Sequence, residues 1–118
     1  MTSQPAYNHS STGSAELLAL AERVEKLAGP DRGLDAEIYW AIKDGVGVGY
    51  RQDAPAFTAS LDAAMTLVPE GESYLLAHNQ GNYWSEVGEN FQYFGATSAL
   101  AVTAASLHAR AALSQVQP

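Results

Sequence analysis

Three histidines, thirteen carboxylates and one glycine-rich run are the groups in this 118-residue chain that could do chemistry. If His78, His108 and Glu86 met in three dimensions, two imidazoles and a carboxylate could hold zinc or move protons in a small hydrolase. Their spacing makes no metal-ligand pattern: His9 lies in a polar N-terminal stretch, His78 at the end of a strand pattern and His108 in a helical one. A histidine beside apolar residues is more simply a hydrogen-bonded group at the core margin. Glu86 and Glu89 could pair as acid and base, yet near a strand end they need not share a cleft, and two solvated carboxylates are the simpler reading. Ser60 and Asp62 lack the strand, turn and helix context of a nucleophile elbow. The run Gly45-Val46-Gly47-Val48-Gly49 would let backbone N–H groups approach a phosphate. A phosphate loop needs a strand before it and a helix N-terminus after it, whereas here a helical pattern precedes and residues 50–55 follow. With Arg51 beside it, the run keeps open one alternative, a sink for a small ligand or nucleotide signal. The absence of cysteine removes thiolate zinc sites and disulfide exchange. No catalytic, cofactor-binding or metal-ligating residue is therefore assigned, and a non-enzyme is expected.

Charge narrows the partners. Thirteen acids against six Lys and Arg give a formal charge of −7, with 47% apolar residues. That composition argues for an ordered chain and against electrostatic wrapping of DNA or RNA. The imbalance is local. Residues 52–109 contain no Lys or Arg, while Asp53, Asp62, Glu70, Glu72, Glu86 and Glu89 fall among them. Residues 1–51 carry seven acids and five bases. An acidic surface favours encounter with basic protein surfaces, although the same charge also serves solubility. No signal-peptide pattern and no apolar run near the ~20 residues of a membrane span is found, so a cytoplasmic protein without membrane contact is expected.

These side chains must be positioned by short elements. Residues 1–13 read as a polar arm. Ser14 can cap a helix to about Ala28, with a stripe of Leu17, Leu20, Ala21, Val24 and Leu27, closed by Gly29-Pro30. Asp31 offers a second cap, for a helix with Leu34, Ile38, Ala41 and Ile42 at helical spacing. After the glycine run, Thr58 or Ser60 starts a third helix to Val68, burying Leu61, Ala64, Met65 and Val68. Pro69-Glu70-Gly71 ends it. Thr97 caps a last helix with Leu100, Ala101, Ala104, Leu107, His108 and Ala111 on its buried side, and residues 114–118 read as a fraying tail.

Between them lies the strand-like region. Residues 73–78 and 83–87 flank Asn79-Gln80-Gly81-Asn82, and either a two-residue turn or a four-residue loop sets His78 opposite Tyr83. Alternation then places Tyr74, Leu76, His78, Tyr83, Ser85 and Val87 on one face, which reads as core. The other face carries Leu75, Ala77, Trp84 and Glu86, either covered by a helix or exposed to a partner. Phe91, Tyr93 and Phe94 could add a third strand. Fold class is thus α+β: a small antiparallel sheet of two or three strands packed with about four helices in a layered sandwich, with residues 14–113 as one domain.

Three blocks carry a resemblance. They are residues 27–38, containing Gly29-Pro30-Asp31-Arg32-Gly33; residues 57–71, from Phe57-Thr58-Ala59-Ser60 to Pro69-Glu70-Gly71; and residues 95–107, containing Gly95-Ala96-Thr97-Ser98. Together they resemble small uncharacterised phage and prophage proteins of the phage ABA sandwich type. The resemblance implies an α+β sandwich of mobile-element origin and carries over no functional residue, because its motifs are caps, turns and helix faces. The expectation that follows is a small non-catalytic accessory protein that binds a host protein, with an anti-CRISPR-like inhibitor of a host nuclease as one form. Its acidic half would meet a basic surface, with Tyr83, Trp84, Phe91, Tyr93 and Phe94 as anchors and Glu86 and Glu89 as a polar rim. An uncovered Trp84 face would also favour a homodimer.

Overall fold

The last helix, α4 (Ser98–Val116), lies at the centre of the molecule. The computed structural model describes residues 13–42, 54–88 and 92–116. Preceding α4 are α1 (Ser14–Glu25), α2 (Arg32–Ile42), α3 (Leu61–Met65), β1 (Tyr74–Asn79), β2 (Asn82–Val87) and β3 (Tyr93–Gly95). Thr97 starts α4 as the sequence predicts, its Oγ1 accepting from the Leu100 N–H at 3.2 Å. The sequence gives α4 one buried side, but the structure buries nearly its whole circumference from Ala99 to Ala111, with only His108 and Arg110 partly exposed. A helix apolar all round belongs inside, and one built of Ala, Ser and Thr lets neighbours approach closely.

Three groups pack around it. Leu100, Ala104, Leu107 and Ala111 pack on α1 in one core cluster with Leu17, Leu20, Ala21 and Val24, which Leu34 and Ile38 of α2 complete. Ala99 and Val102 meet Ala64 of α3, and Ala105 and Ala109 meet Val87 of β2. Fully burying Leu100, Leu107 or Val102 stabilises the fold by about 1.5–3 kcal/mol each. The molecule is an α+β sandwich in which sheet, α4 and α1 form successive layers, with α2 packed on α1 and α3 beside α4.

The helix termini depart from the sequence reading at both ends of α1 and at the C-terminal ends of α3 and α4. Gly13 rather than Ser14 is the α1 N-cap, without a side-chain cap, and α1 stops at Glu25, short of Gly29-Pro30. Asp31 does cap α2, its Oδ1 accepting from the Leu34 N–H at 2.9 Å. Ser60, not Thr58, caps α3, accepting from the Ala63 N–H at 3.2 Å. After Met65 the chain tightens into three-residue hydrogen-bonded steps, with the Leu67 N–H donating to the Ala64 carbonyl, and this turns Leu67 into the core at a position the helical stripe omits. At the C-terminus α4 runs on to Val116 instead of ending near residue 113.

The sheet is antiparallel in the order β1-β2-β3, with His78 opposite Tyr83 and Trp84 opposite Phe94. Gln80 and Gly81 have φ of 54° and 85°, so a two-residue turn of type I′ closes the β1-β2 hairpin. β3 sits so close to α4 that a Cβ on Gly95 would meet the Ala101 nitrogen and lie 2.7 Å from the Leu100 carbonyl carbon. Among the described residues no helix is long and apolar enough to cross a membrane. The 45–49 glycine run, Arg51, His9, Glu89 and Phe91 lie outside the described residues.

Candidate protein-binding face

Strand alternation separates the aromatic residues into two sets. Tyr93 points to α4 and stacks on His108, with ring centroids 3.6 Å apart and planes 7° apart. Tyr83 shares that side of the sheet and stacks on His78 at 4.3 Å. Trp84 and Phe94 lie on the opposite side, with ring centroids 6.1 Å apart and planes tilted by 49°. Among the described residues, the anchors grouped in the sequence therefore form two sets, Tyr83 and Tyr93 on the α4 side and Trp84 and Phe94 on the face turned away from it.

That face is ordered in rows by the register. Leu75 stands beside Glu86, and Ala77 beside Trp84, which stands beside Phe94. Phe94 is 55% exposed and Leu75 47%, with Trp84, Ala77 and Glu86 half-buried. Large aromatic and aliphatic side chains at such exposure on adjacent strands make a contiguous apolar patch, as interaction surfaces do. Among the described residues no element packs over it. Glu86 is the charge on the patch, and its Oε2 accepts from Gln92 Nε2 at 3.2 Å, which fixes the carboxylate at the rim. With no Lys or Arg between residues 52 and 109, nothing in that stretch neutralises it. The opposite side of the sheet is closed only over β2: Ser85 and Val87 are fully buried, and Ser85 Oγ donates to the Leu75 carbonyl at 2.7 Å, whereas Tyr74, 56% exposed, and exposed His78, both expected in the core from strand alternation, lie on the outer strand β1.

The histidine and carboxylate trio does not assemble. Glu86 projects from the open face, His78 stacks on Tyr83 at the hairpin end, and His108 Nε2 is 2.6 Å from Glu25 Oε2 on α1. Sequence reading missed the Glu25-His108-Tyr93 cluster because Glu25 and His108 are 83 residues apart and no local pattern joins them. Burial first, and the Glu25 carboxylate second, pushes the Tyr93 hydroxyl above the usual phenol range. The cluster ties α1, α4 and β3 together. Among the described residues no group of three His, Asp or Glu could hold a metal ion.

A second polar cluster also escaped the sequence reading. Buried Asp35 accepts from the Thr58 N–H at 2.9 Å, from Thr58 Oγ1 at 2.8 Å and from Arg32 Nη1 at 3.1 Å. Arg32 Nη2 also donates to the Ala54 carbonyl at 2.9 Å. These bonds fasten the segment entering α3 onto α2. Arg110 has a comparable role. Its Nε donates to the Leu67 carbonyl at 2.8 Å after α3, and burial lowers its pKa. No family model, curated protein or solved structure matches the chain.

Proposed function

We propose that this chain is a small non-catalytic protein-binding module whose open sheet face docks on a basic protein surface. The observation that carries the reading is the row Ala77, Trp84 and Phe94, flanked by Leu75 and Glu86 and uncovered by any described element. Buried aromatic anchors contribute most of the binding energy at protein interfaces, and a rim carboxylate contributes orientation and encounter rate. Charge selects the partner. Two copies meeting through this face would bring together two acidic chains of formal charge −7, each with Glu86 on the face, whereas a Lys- and Arg-rich surface would be attracted. In the phage setting implied by the sequence resemblance, the module acts in the host cytoplasm as an accessory protein. A host nuclease of a defence system, such as a CRISPR effector, is then the class of partner that offers a basic nucleic-acid-binding surface.

The test is affinity capture with the wild-type chain and with Trp84→Glu and Phe94→Glu, both on the exposed side of the sheet. A basic protein held by wild type and lost with both variants, while circular dichroism stays unchanged, supports the reading. Retention of the same protein by both variants contradicts it.

A further inference from the structure

The second surface lies on the outer edge of β1. The Gly88 N–H donates to the Ser73 carbonyl at 2.8 Å, which makes residues 73 and 88 a hydrogen-bonded pair. By antiparallel alternation, Leu75, Ala77 and Asn79 also bond across to β2, and the N–H and C=O groups of Tyr74, Leu76 and His78 point away from it. No described strand pairs with that side. Natural sheets blunt such edges with Lys, Pro, a bulge or a very short strand. The β3 edge is short, only Tyr93–Gly95. β1 has six residues, Tyr-Leu-Leu-Ala-His-Asn, with no charge, no proline and a regular register.

The edge has an apolar neighbour. Leu76 of β1 and Leu61, Met65 and Val68 around α3 pack on the same buried group, Ala64, Ala99 and Val102. All four side chains remain partly exposed. Although α3 and β1 both rest on α4, no Cα of one lies within 8 Å of a Cα of the other. An extended segment laid along β1 would therefore find backbone donors and acceptors on one side and apolar side chains beneath. Glu72 and exposed Glu70 stand at the entry to β1, and exposed Asp62 on α3, with no Lys or Arg from residue 52 to 109.

We infer that the β1 edge accepts an extended, basic segment of a partner protein as a fourth strand. Alternate apolar side chains of the segment would face Leu76, Leu61 and Met65, while its Lys or Arg residues would meet Glu70 and Glu72. This site is separate from the open face, since the apolar floor lies on the α4 side of the sheet, and it stands without that reading.

Amide hydrogen exchange of the full chain tests it. The probe, at about 1 mM, is a nine-residue peptide with valine at alternate positions and lysine or threonine between them. The expected result is exchange slowed about tenfold or more at the amides of Tyr74, Leu76 and His78. Two control peptides, one with glutamate for lysine and one N-methylated at alternate residues, should leave those amides unchanged. Three outcomes overturn the inference: no protection by the lysine peptide, equal protection by either control, or protection without peptide that rises with protein concentration. The last would assign the edge to a second copy of the chain.

Discussion

Replacing Asp35 by alanine should unfold this protein at markedly lower denaturant, although the residue lies far from any binding surface. Its carboxylate is fully buried and accepts three hydrogen bonds, two from Thr58 and one from Arg32. The three losses differ. Among the described residues the Thr58 N–H bonds to Asp35, so leaving it buried and unpaired costs about 1–3 kcal/mol. The Thr58 hydroxyl can fall back on the Asp31 carbonyl at 3.3 Å, a longer bond, and loses about 1 kcal/mol. The Arg32 side chain is 39% exposed and regains water, so its part of the ion pair adds about 0–1 kcal/mol. Together Asp35→Ala should lose about 2–5 kcal/mol of a total near 5–15 kcal/mol. Asp35→Asn keeps one oxygen for Thr58 and should lose about half as much. Thr58→Val removes only the hydroxyl, and its loss should not add to that of Asp35→Ala, because the two share a bond. Urea unfolding at pH 7, followed by circular dichroism, measures wild type, the three single variants and the Asp35→Ala/Thr58→Val double variant. A loss below about 1 kcal/mol for Asp35→Ala, or strict additivity in the cycle, would refute the reasoning.

Other consequences follow from the sheet. Gly95→Ala must push β3 off the backbone of α4 and should cost about 1–3 kcal/mol in a thermal melt, whereas Gly29→Ala, with nothing within 4 Å of the new Cβ, should be close to neutral. Gln80→Asn should raise the melting temperature by the equivalent of about 0.5–1 kcal/mol, because Asn accepts the left-handed conformation at φ 54° more readily than Gln. Since burial raises the Tyr93 pKa in the folded state, the unfolded chain ionises first as pH climbs past the usual phenol value of about 10. The contribution is complete below that pH and is lost as pH rises through the folded-state value. Stability should therefore fall across that range, and less steeply in Tyr93→Phe, as read by urea midpoints at successive pH values.

The hairpin was legible because a two-residue turn at Gln80-Gly81 and a four-residue loop give the same register, and the cap at Asp31 because its chemistry is local. The position of α4 was not. Its Ala, Ser and Thr residues carry little hydrophobic contrast, so the sequence pattern marks Leu100, Ala101, Ala104, Leu107, His108 and Ala111 as one buried side and small residues such as Ala99 and Ala105 as fit for close packing, without showing that α1, α3 and the sheet surround the helix together. Asp35 and Thr58 sit 23 residues apart, and a carboxylate in a helix gives no sign that it is buried until the segment that covers it is in place. Leu67 escaped because the chain changes from four-residue to three-residue steps after Met65. The division of the aromatics was present in the alternation itself: Tyr83 and Trp84 are adjacent and must face opposite ways, as must Tyr93 and Phe94. Grouping them by composition hid a distinction that the strand geometry makes directly.

The central claim is that the Trp84 and Phe94 face docks on a basic protein, and affinity for the captured partner, measured between low and moderate salt, tests it most directly. The account predicts that Trp84→Ala weakens binding by about 2 kcal/mol or more, near thirtyfold, at every salt concentration. Glu86→Gln should lower the association rate and flatten the salt dependence while leaving the dissociation rate almost unchanged. Binding that is indifferent to salt and survives Trp84→Ala undiminished would contradict the account.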